Sequence, residues 1–260
     1  MRLPIYQVDA FADRLYAGNP AAVVPLADWL SDATMQAIAA ENNLAETAFF
    51  APEADGFRLR WFTPAVEVPL CGHATLASAF VLMTLLEPGR STVRFQSKSG
   101  PLEVTRDGDL FALDFPARAL EPCDEADAVA RALGGSPVSV QLSVDRYMAL
   151  YATAAEVKAL VPDLRALLAT KRGRAIATAP GDDCDFVSRF FAPSAGIDED
   201  PVTGSSHCTL VPYWARRLGK RELLARQVSP RGGTLHCRDD GTRTVMAGRG
   251  VLYLEGTIHV

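Results

Sequence analysis

The segment after residue 197 combines a cluster of carboxylates with the residue types that begin a helix. Asp198, Glu199 and Asp200 precede Pro201, which ends the acidic run. The following residues favour a helix start with free backbone N–H groups, and they are Thr203, Gly204, Ser205 and Ser206. Free N–H groups at a helix start attract anions, so the segment predicts anion binding. The acidic cluster also fits a solvated loop, and Asp200 also fits a carboxylate that stabilises the helix dipole.

Glu46 is a second candidate for chemistry, because it begins a predicted strand (residues 46–50) and has apolar neighbours on both sides. A carboxylate that takes a proton from carbon works best when its pKa is raised towards neutrality, and apolar neighbours raise it. Each unit of that shift corresponds to ~1.4 kcal/mol. An exposed glutamate at a strand start has the same pattern, so these residues by themselves leave both interpretations open.

His73 follows Cys71 and Gly72 at the start of an apolar stretch, residues 74–86, which predicts a helix without a polar face. A histidine there is either a buried structural residue or a hydrogen-bond partner for a polar substrate. The positive end of the helix dipole disfavours a second positive charge, so we expect a neutral imidazole. His207 lies further into a later predicted helix, and we expect it to be structural.

An internal repeat relates these segments to one another. RWFTP (residues 60–64) is similar to RFFAP (residues 189–193), and at the same offset CGHAT (residues 71–75) falls on DPVTG (residues 200–204). We interpret this as a duplication of a strand, an acidic loop and an apolar helix. Two such units could face one another across a cleft, which would place His73 beside a ligand.

The elements that position these residues follow from periodicity, capping residues and turn signals. Helices are predicted to begin at Ser31 and end at Asn42-Asn43, and to cover residues 73–86, 124–133, 154–170 and 203–218. Asp55-Gly56 predicts a turn, and residues 117–122 a linker. The predicted strands are residues 4–11, 21–25, 46–50, 57–63, 92–96, 102–105, 110–115, 138–144, 147–151, 175–179, 186–192, 224–229, 234–238, 242–248 and 251–255.

This order predicts an α+β fold of two similar domains, each a mainly antiparallel sheet curled around one apolar helix. Residues 1–116 would form the first domain and residues 117–260 the second, with the last strand free to return to the first. No G-x-G-x-x-G follows a predicted strand, and hairpin turns join many of the strands, which argues against a doubly wound parallel sheet.

Composition narrows the class of partner. With 260 residues and 48% hydrophobic content, the chain can bury a sizeable core. A net charge of −5 with dispersed Lys and Arg argues against a nucleic-acid partner. Five scattered cysteines without C-x-x-C pairs predict reduced thiols and no disulfides. Neither a signal peptide nor a membrane-spanning segment is predicted, so we expect a soluble cytoplasmic protein that binds a small molecule.

Six segments together resemble the PhzF-like isomerases of phenazine biosynthesis, which are relatives of the diaminopimelate epimerase fold. The resemblance extends over most of the chain. Its segments are VDAF (8–11), GNPAAV (18–23), NLAETAF (43–49), LCGHAT (70–75), EDPVTGSSH (199–207) and RGG (231–233).

The resemblance implies the duplicated fold, an active site in a cleft between the domains, no metal or organic cofactor, and a homodimer. Glu46 is similar to the family's acid–base carboxylate, which moves a proton, and with it a double bond, on a small carboxylate-bearing metabolite. Asp200 and His73 match the polar residues that hold the substrate. Ser205 and the backbone of Gly72, with Gly204 beside Ser205, match the positions that bind its carboxylate.

Two other functions remain open: a racemase or epimerase that uses the Cys71 thiol, and a binding protein without catalysis. Racemases of this fold use two opposed cysteines, but Asp200 occupies the repeat position of Cys71 and Cys208 lies about two helical turns beyond it. A helix start could still lower the pKa of Cys71. Neither Cys71 with His73 nor His207 with Cys208 has a second pair of ligands, so no metal site is predicted. Arg231 fits a turn and a substrate-binding cation equally well.

Overall fold

The computed structural model describes residues 1–54 and 56–260. The turn predicted at Asp55-Gly56 includes Asp55, which lies outside these residues. The helices are α1 (Asp32–Asn42), α2 (Gly72–Phe80), α3 (Ala126–Leu133), α4 (Ala154–Ala159), α5 (Leu164–Leu168) and α6 (Gly204–Leu218), with a π-helical turn at Val81–Leu86 and a 3-10 turn at Pro193–Ala195.

Eighteen strands lie in the described residues. They are β1 (Arg2–Ala10), β2 (Asn19–Pro25), β3 (Glu46–Glu53), β4 (Gly56–Phe62), β5 (Glu67–Val68), β6 (Thr92–Ser97), β7 (Gly100–Asp107), β8 (Leu110–Pro116), β9 (Glu121–Pro122), β10 (Ser139–Ser143), β11 (Arg146–Leu150), β12 (Ala175–Pro180), β13 (Phe186–Ala192), β14 (Ile197–Asp200), β15 (Glu222–Gln227), β16 (Gly233–Asp239), β17 (Arg243–Gly248) and β18 (Gly250–His259).

The chain divides into two units, one of Met1–Asp114 with Ala247–Val260 and the other of Phe115–Met246. In the first unit β18 pairs antiparallel with β1, so the last strand lies beside the first. The predicted α+β class is confirmed. The two-domain division at residue 116 and the shared cleft stay predictions. Within the described residues, no helix is long and apolar enough to span a bilayer.

The helix α2 is the centre of the first unit. Residues 73–79 are all buried, and so are Val81, Leu82 and Met83 of the π-helical turn that continues it. It packs on β1, β2, β3 and β18. A helix without a polar face has to be enclosed on every side, which is the arrangement that its sequence predicts. Enclosure fixes the first turn of α2, where His73 lies.

The connection from α1 to β3 sets the position of Glu46. The Ser31 hydroxyl accepts a hydrogen bond from the Thr34 backbone N–H and caps the start of α1. At the other end Asn43 adopts a left-handed conformation with φ 50°. Both predicted ends of α1 are confirmed. The chain then turns directly into β3, whose first residue is Glu46 and whose neighbour on β2 is Ala21.

In the second unit the single helix predicted at residues 154–170 is wrong, because α4 and α5 are separate. Leu160 ends α4 in an extended conformation with φ −60° and ψ 132°. Pro162 disfavours helical geometry at the residue before it. The Asp163 side chain then accepts hydrogen bonds from the N–H groups of Arg165 and Ala166, and so begins α5. The predicted linker at residues 117–122 also differs, since it contains β9, which pairs with β10.

Both units contain the same ion pair between a strand and the short strand that follows it. Arg60 on β4 forms two hydrogen bonds with Glu67 on β5, at 2.8 and 2.9 Å. Arg189 on β13 forms two with Glu199 on β14, both at 2.8 Å. Glu199 therefore does not lie in a solvated loop, as its acidic neighbours had suggested. Its side chain is 16% exposed.

The repeat does not keep one constant offset, and that prediction is wrong. Arg60 and Arg189 are 129 residues apart, whereas Glu67 and Glu199 are 132 apart. The second half contains additional residues around the 3-10 turn at Pro193–Ala195. The helices α2 and α6, which begin at Gly72 and Gly204, are likewise 132 apart. Thr203, and not Asp200, therefore occupies the position of Cys71.

Candidate functional site

Three predicted residues lie together in the first unit. Glu46 begins β3, Cys71 precedes α2, and His73 is the second residue of that helix. His73 Nε2 is 3.1 Å from Glu46 Oε2, and Cys71 Sγ is 3.5 Å from His73 Nδ1. His73 and Cys71 are buried, whereas the Glu46 side chain is 18% exposed. The Glu46 side chain is thus partly exposed, while its Oε2 atom is buried against the imidazole.

The prediction that apolar surroundings raise the pKa of Glu46 is wrong in direction. Burial does favour the protonated carboxyl. The charge of His73, its hydrogen bond and a hydrogen bond from Cys71 oppose burial, and together they hold the pKa of Glu46 below its ordinary value. The sequence shows the apolar neighbours along the chain, but the partner that decides the pKa comes from a different element.

The neutral His73 imidazole predicted from the helix dipole is also wrong in direction. Burial lowers the pKa of this imidazole, but the hydrogen bonds with Cys71 and Glu46 and the negative charge of Glu46 raise it well above the ordinary value. A carboxylate at 3.1 Å acts over a much shorter distance than the dipole of a nine-residue helix. Glu46 and His73 therefore form an ion pair, in which the proton lies on the imidazolium and the carboxylate is ionised.

Cys71 does not have the activated thiol that a helix start can produce. Burial and the charge of Glu46 raise its pKa to about 11, against an opposing effect from His73. The thiolate, which is the nucleophile, is therefore a minor species at neutral pH.

Cys71 should accordingly resist alkylation by iodoacetamide at pH 7. A rise in pKa from 9.0 to about 11 reduces the thiolate fraction roughly a hundredfold. We expect alkylation to be at least that much slower in the folded protein than in urea, measured by mass spectrometry of the peptide that contains Cys71. Equal rates in the two states would contradict the raised pKa.

Asn19 is a site residue that sequence reasoning treated only as part of a turn. It begins β2, is fully buried, and has its side-chain amide group 3.3 Å from His73 Nδ1. The contact joins β2 to the first turn of α2 on the side of the imidazole opposite Glu46. The segment GNPAAV contained the signal, since Gly18 allows the turn that brings Asn19 into the core.

Replacing Gly18 with Ala should destabilise the first unit by about 2 kcal/mol or more. Gly18 has φ +66°, and an added Cβ would lie 2.3 Å from the Ala10 carbonyl oxygen. Gly108 has a similar φ of +60° with open space around it, so Gly108→Ala is a matched control for backbone strain alone. We expect the urea midpoint to fall clearly further for Gly18→Ala. Equal effects would show that the close contact relaxes without cost.

The second unit holds the other predicted residues around the start of α6. Asp200, half-buried at the end of β14, accepts a hydrogen bond from the Thr203 hydroxyl at 2.6 Å. Gln227 fixes the same turn, because its amide oxygen accepts from the Thr203 N–H and its amide nitrogen donates to the Asp200 carbonyl. Gln227 is buried, and no sequence pattern indicated it.

Gly204 and Ser205 form the first turn of α6, as predicted. The Ser205 hydroxyl accepts a hydrogen bond from Arg146 Nη1 at 2.9 Å. Arg146 is buried, forms two hydrogen bonds with Asp145, and lies over the Phe190 ring. Sequence reasoning missed Arg146, which adds a guanidinium to the start of a helix whose dipole already favours anions.

His207 and Arg231 lie in the same unit. His207 is fully buried, its Nδ1 donates to the Thr203 carbonyl, and burial lowers its pKa to about 4. This agrees with the structural role predicted for His207. Arg231 belongs to a turn in which the Ser229 hydroxyl donates to the Pro201 carbonyl. Neither of the two roles considered for Arg231 is tested by this geometry.

Comparison with known proteins gives consistent matches along the chain. A family model for phenazine biosynthesis-like proteins, PhzC-PhzF, matches residues 8–256. Two proteins of Pseudomonas aeruginosa named as uncharacterized isomerases are 50% and 48% identical over the full length of both chains. A crystal structure of a phenazine biosynthesis protein of the PhzF family from Enterococcus faecalis is 44% identical, covers 100% of each chain and has a TM-score of 0.97.

Proposed function

This chain belongs to the PhzC-PhzF family of phenazine biosynthesis-like proteins and is an isomerase, and we propose that Glu46 is the group that moves the proton. The observation that carries the proposal is the 3.1 Å contact between Glu46 Oε2 and His73 Nε2 in a largely buried site. The lowered pKa keeps this carboxylate in the ionised form that accepts a proton from carbon, and it also makes Glu46 a weaker base than a carboxylate whose pKa is raised towards neutrality. The partial exposure of Glu46 leaves it accessible to a substrate.

The proposed reaction has two proton transfers. Glu46 removes a proton from one carbon of the substrate, and the resulting carboxylic acid returns a proton to another carbon as the double bond moves. The His73 imidazolium stabilises the negative charge that develops on the substrate and holds the carboxyl in position. No step of this cycle draws on a metal or an organic cofactor.

We propose that the substrate is a small metabolite with a carboxylate. The start of α6, with Gly204 and Ser205, would bind that group, and Arg146 adds positive charge there. Asp200 would accept a hydrogen bond from an amino or hydroxyl group of the substrate. Among the described residues, no side chain caps the first turn of α2. The N–H groups near Gly72 would therefore also bind the substrate carboxylate. A homodimer and a cytoplasmic location belong to the same proposal, through the family resemblance.

A thiol-dependent racemase is a weaker candidate for two reasons. The raised pKa of Cys71 keeps its thiol protonated at neutral pH. The corresponding residue in the second half is Thr203, whose hydroxyl cannot act as the opposed thiol base of a two-cysteine mechanism.

Deuterium incorporation from D2O tests the proposal on many candidate substrates at once. The native protein would be incubated with a panel of small cyclic and acyclic amino and hydroxy acids, and their masses followed. Exchange that persists in Cys71→Ala and is lost in Glu46→Gln supports the proposal. Exchange lost in Cys71→Ala but kept in Glu46→Gln would support the racemase instead. Ligand binding without exchange in the native protein would favour a binding protein.

A further inference from the structure

Glu46 and the two residues that donate hydrogen bonds to it also form a set of possible metal ligands. Glu46, Cys71 and His73 each offer one ligand atom, and these atoms lie within 4.8 Å of one another. His73 Nε2 is 3.1 Å from Glu46 Oε2 and 4.0 Å from Cys71 Sγ. The three come from two elements, since Glu46 begins β3 and the other two flank the start of α2.

These distances can be compared with the edges of a tetrahedral zinc site. Zinc binds sulfur at about 2.3 Å and nitrogen or oxygen at about 2.0–2.2 Å, so ligand atoms of such a site are separated by about 3.4–3.6 Å. The two separations from His73 Nε2 differ from that range by a few tenths of an ångström, and the ligand atoms of Glu46 and Cys71 are at most 4.8 Å apart. Side-chain rotation would bring the three atoms onto one ion and leave the fourth position for water or a ligand.

The chemistry of the donors selects the kind of ion. One thiolate, one imidazole and one carboxylate form a mixed soft and hard set, which suits Zn²⁺. Mg²⁺ and Ca²⁺ prefer oxygen ligands in larger numbers and do not fit a site with sulfur and nitrogen. The sequence indicated no metal site because Cys71 and His73 had no second pair of ligands, and Glu46 supplies one ligand from 25 residues earlier.

We propose that Glu46, Cys71 and His73 bind one Zn²⁺ ion per chain, and that the ion blocks this site rather than assisting it. Binding releases to solvent one proton from the Cys71 thiol and one from the His73 imidazolium, while the Glu46 carboxylate binds in its ionised form. The electron pairs that hold the protons become the metal bonds, so no oxidant or reductant is needed. The Glu46 carboxylate then shares its negative charge with the ion and is a much weaker base towards a substrate.

Titration of metal-free, untagged protein with Zn²⁺ tests the site without any substrate. Isothermal titration calorimetry should give one equivalent of binding. Co²⁺ in the same site should give a thiolate-to-metal charge-transfer band and intense tetrahedral ligand-field bands. Cys71→Ser should remove the charge-transfer band. Glu46→Gln, whose side chain has nearly the same shape, removes the ionised ligand and should weaken Zn²⁺ binding at least tenfold.

Control variants distinguish this site from other ligands in the chain. Cys208→Ser removes the thiol beside His207, and His236→Gln removes a histidine outside the cluster, so both should bind Zn²⁺ like the native protein. No binding at one equivalent, or binding that survives Cys71→Ser, would overturn the proposal. Binding lost in Cys208→Ser but kept in Cys71→Ser would overturn it as well. Circular dichroism of each variant verifies that it is folded.

The blocking effect rests on the proposed function and is measured separately. One equivalent of Zn²⁺ should abolish deuterium exchange, and a chelator should restore it. Binding at the three residues together with continued exchange would support the metal site and contradict Glu46 as the base. The proposed metal site can therefore be confirmed or contradicted independently of the assignment of Glu46 as the base.

Discussion

Glu46→Gln should reduce deuterium exchange into the substrate by about 10²–10⁴-fold, the range that a positioned acid–base group contributes. The amide has the size of the carboxyl but cannot accept a proton from carbon. It also removes the charge that holds His73 protonated, so the neutral imidazole can no longer stabilise negative charge on the substrate. Rates of exchange by mass spectrometry, with native protein measured in parallel, give the ratio directly.

A matched control separates catalysis from a general effect of losing a glutamate. Glu41 lies on the exposed side near the end of α1, five residues before Glu46. Glu41→Gln should exchange at the native rate. Near-native exchange in Glu46→Gln, in a protein with an unchanged circular dichroism spectrum, would contradict the assignment. Binding of a non-exchanging substrate analogue should weaken much less than catalysis, because the substrate carboxylate would be bound elsewhere.

Local signals predicted most of the elements well. Ser31 and Asn43 define the ends of α1 through a side-chain cap and a left-handed residue, both of which depend only on neighbours in sequence. The apolar helix α2 and its enclosure followed from composition alone. Where a competing local signal was overlooked, as at Pro162, the prediction failed although the information was in the sequence.

The spacing of the repeat shows a different limit. Similar strands at RWFTP and RFFAP were correctly aligned, but additional residues lie between the second strand and its helix. An alignment by constant offset cannot place an insertion inside a loop. Hydrogen-bond register can, because the Arg60 and Glu67 pair and the Arg189 and Glu199 pair identify equivalent positions on each side of it.

The protonation states of the candidate site could not be obtained from sequence. Glu46, Cys71 and His73 are linked through space, and each changes the charge of the others more than its neighbours along the chain do. The contacts of Asn19, Arg146 and Gln227 could not be obtained from sequence either, because they depend on which strand lies beside which helix. Sequence patterns indicated which residues were candidates, and packing determined their state.

The ion pair between Arg189 and Glu199 should contribute strongly to the stability of the second unit. Their side chains are 11% and 16% exposed, and the two hydrogen bonds between them are both 2.8 Å long. Arg189 Nη1 also donates to the Leu160 carbonyl at 2.8 Å, and thereby holds the end of α4. Loss of one partner leaves the other charge buried without compensation, which costs on the order of 2–4 kcal/mol.

We therefore expect Arg189→Met to destabilise the protein more than Glu199→Gln, because only the former also releases the carbonyl groups at the end of α4. The double variant Arg189→Met with Glu199→Gln should recover part of the loss, since it leaves no charge at either position. Urea midpoints of the four proteins give the coupling. Asp124→Asn, which removes one side of the exposed pair with Lys171, should leave the midpoint unchanged. Additive effects of the two single variants would show that the pair contributes no more than an exposed one.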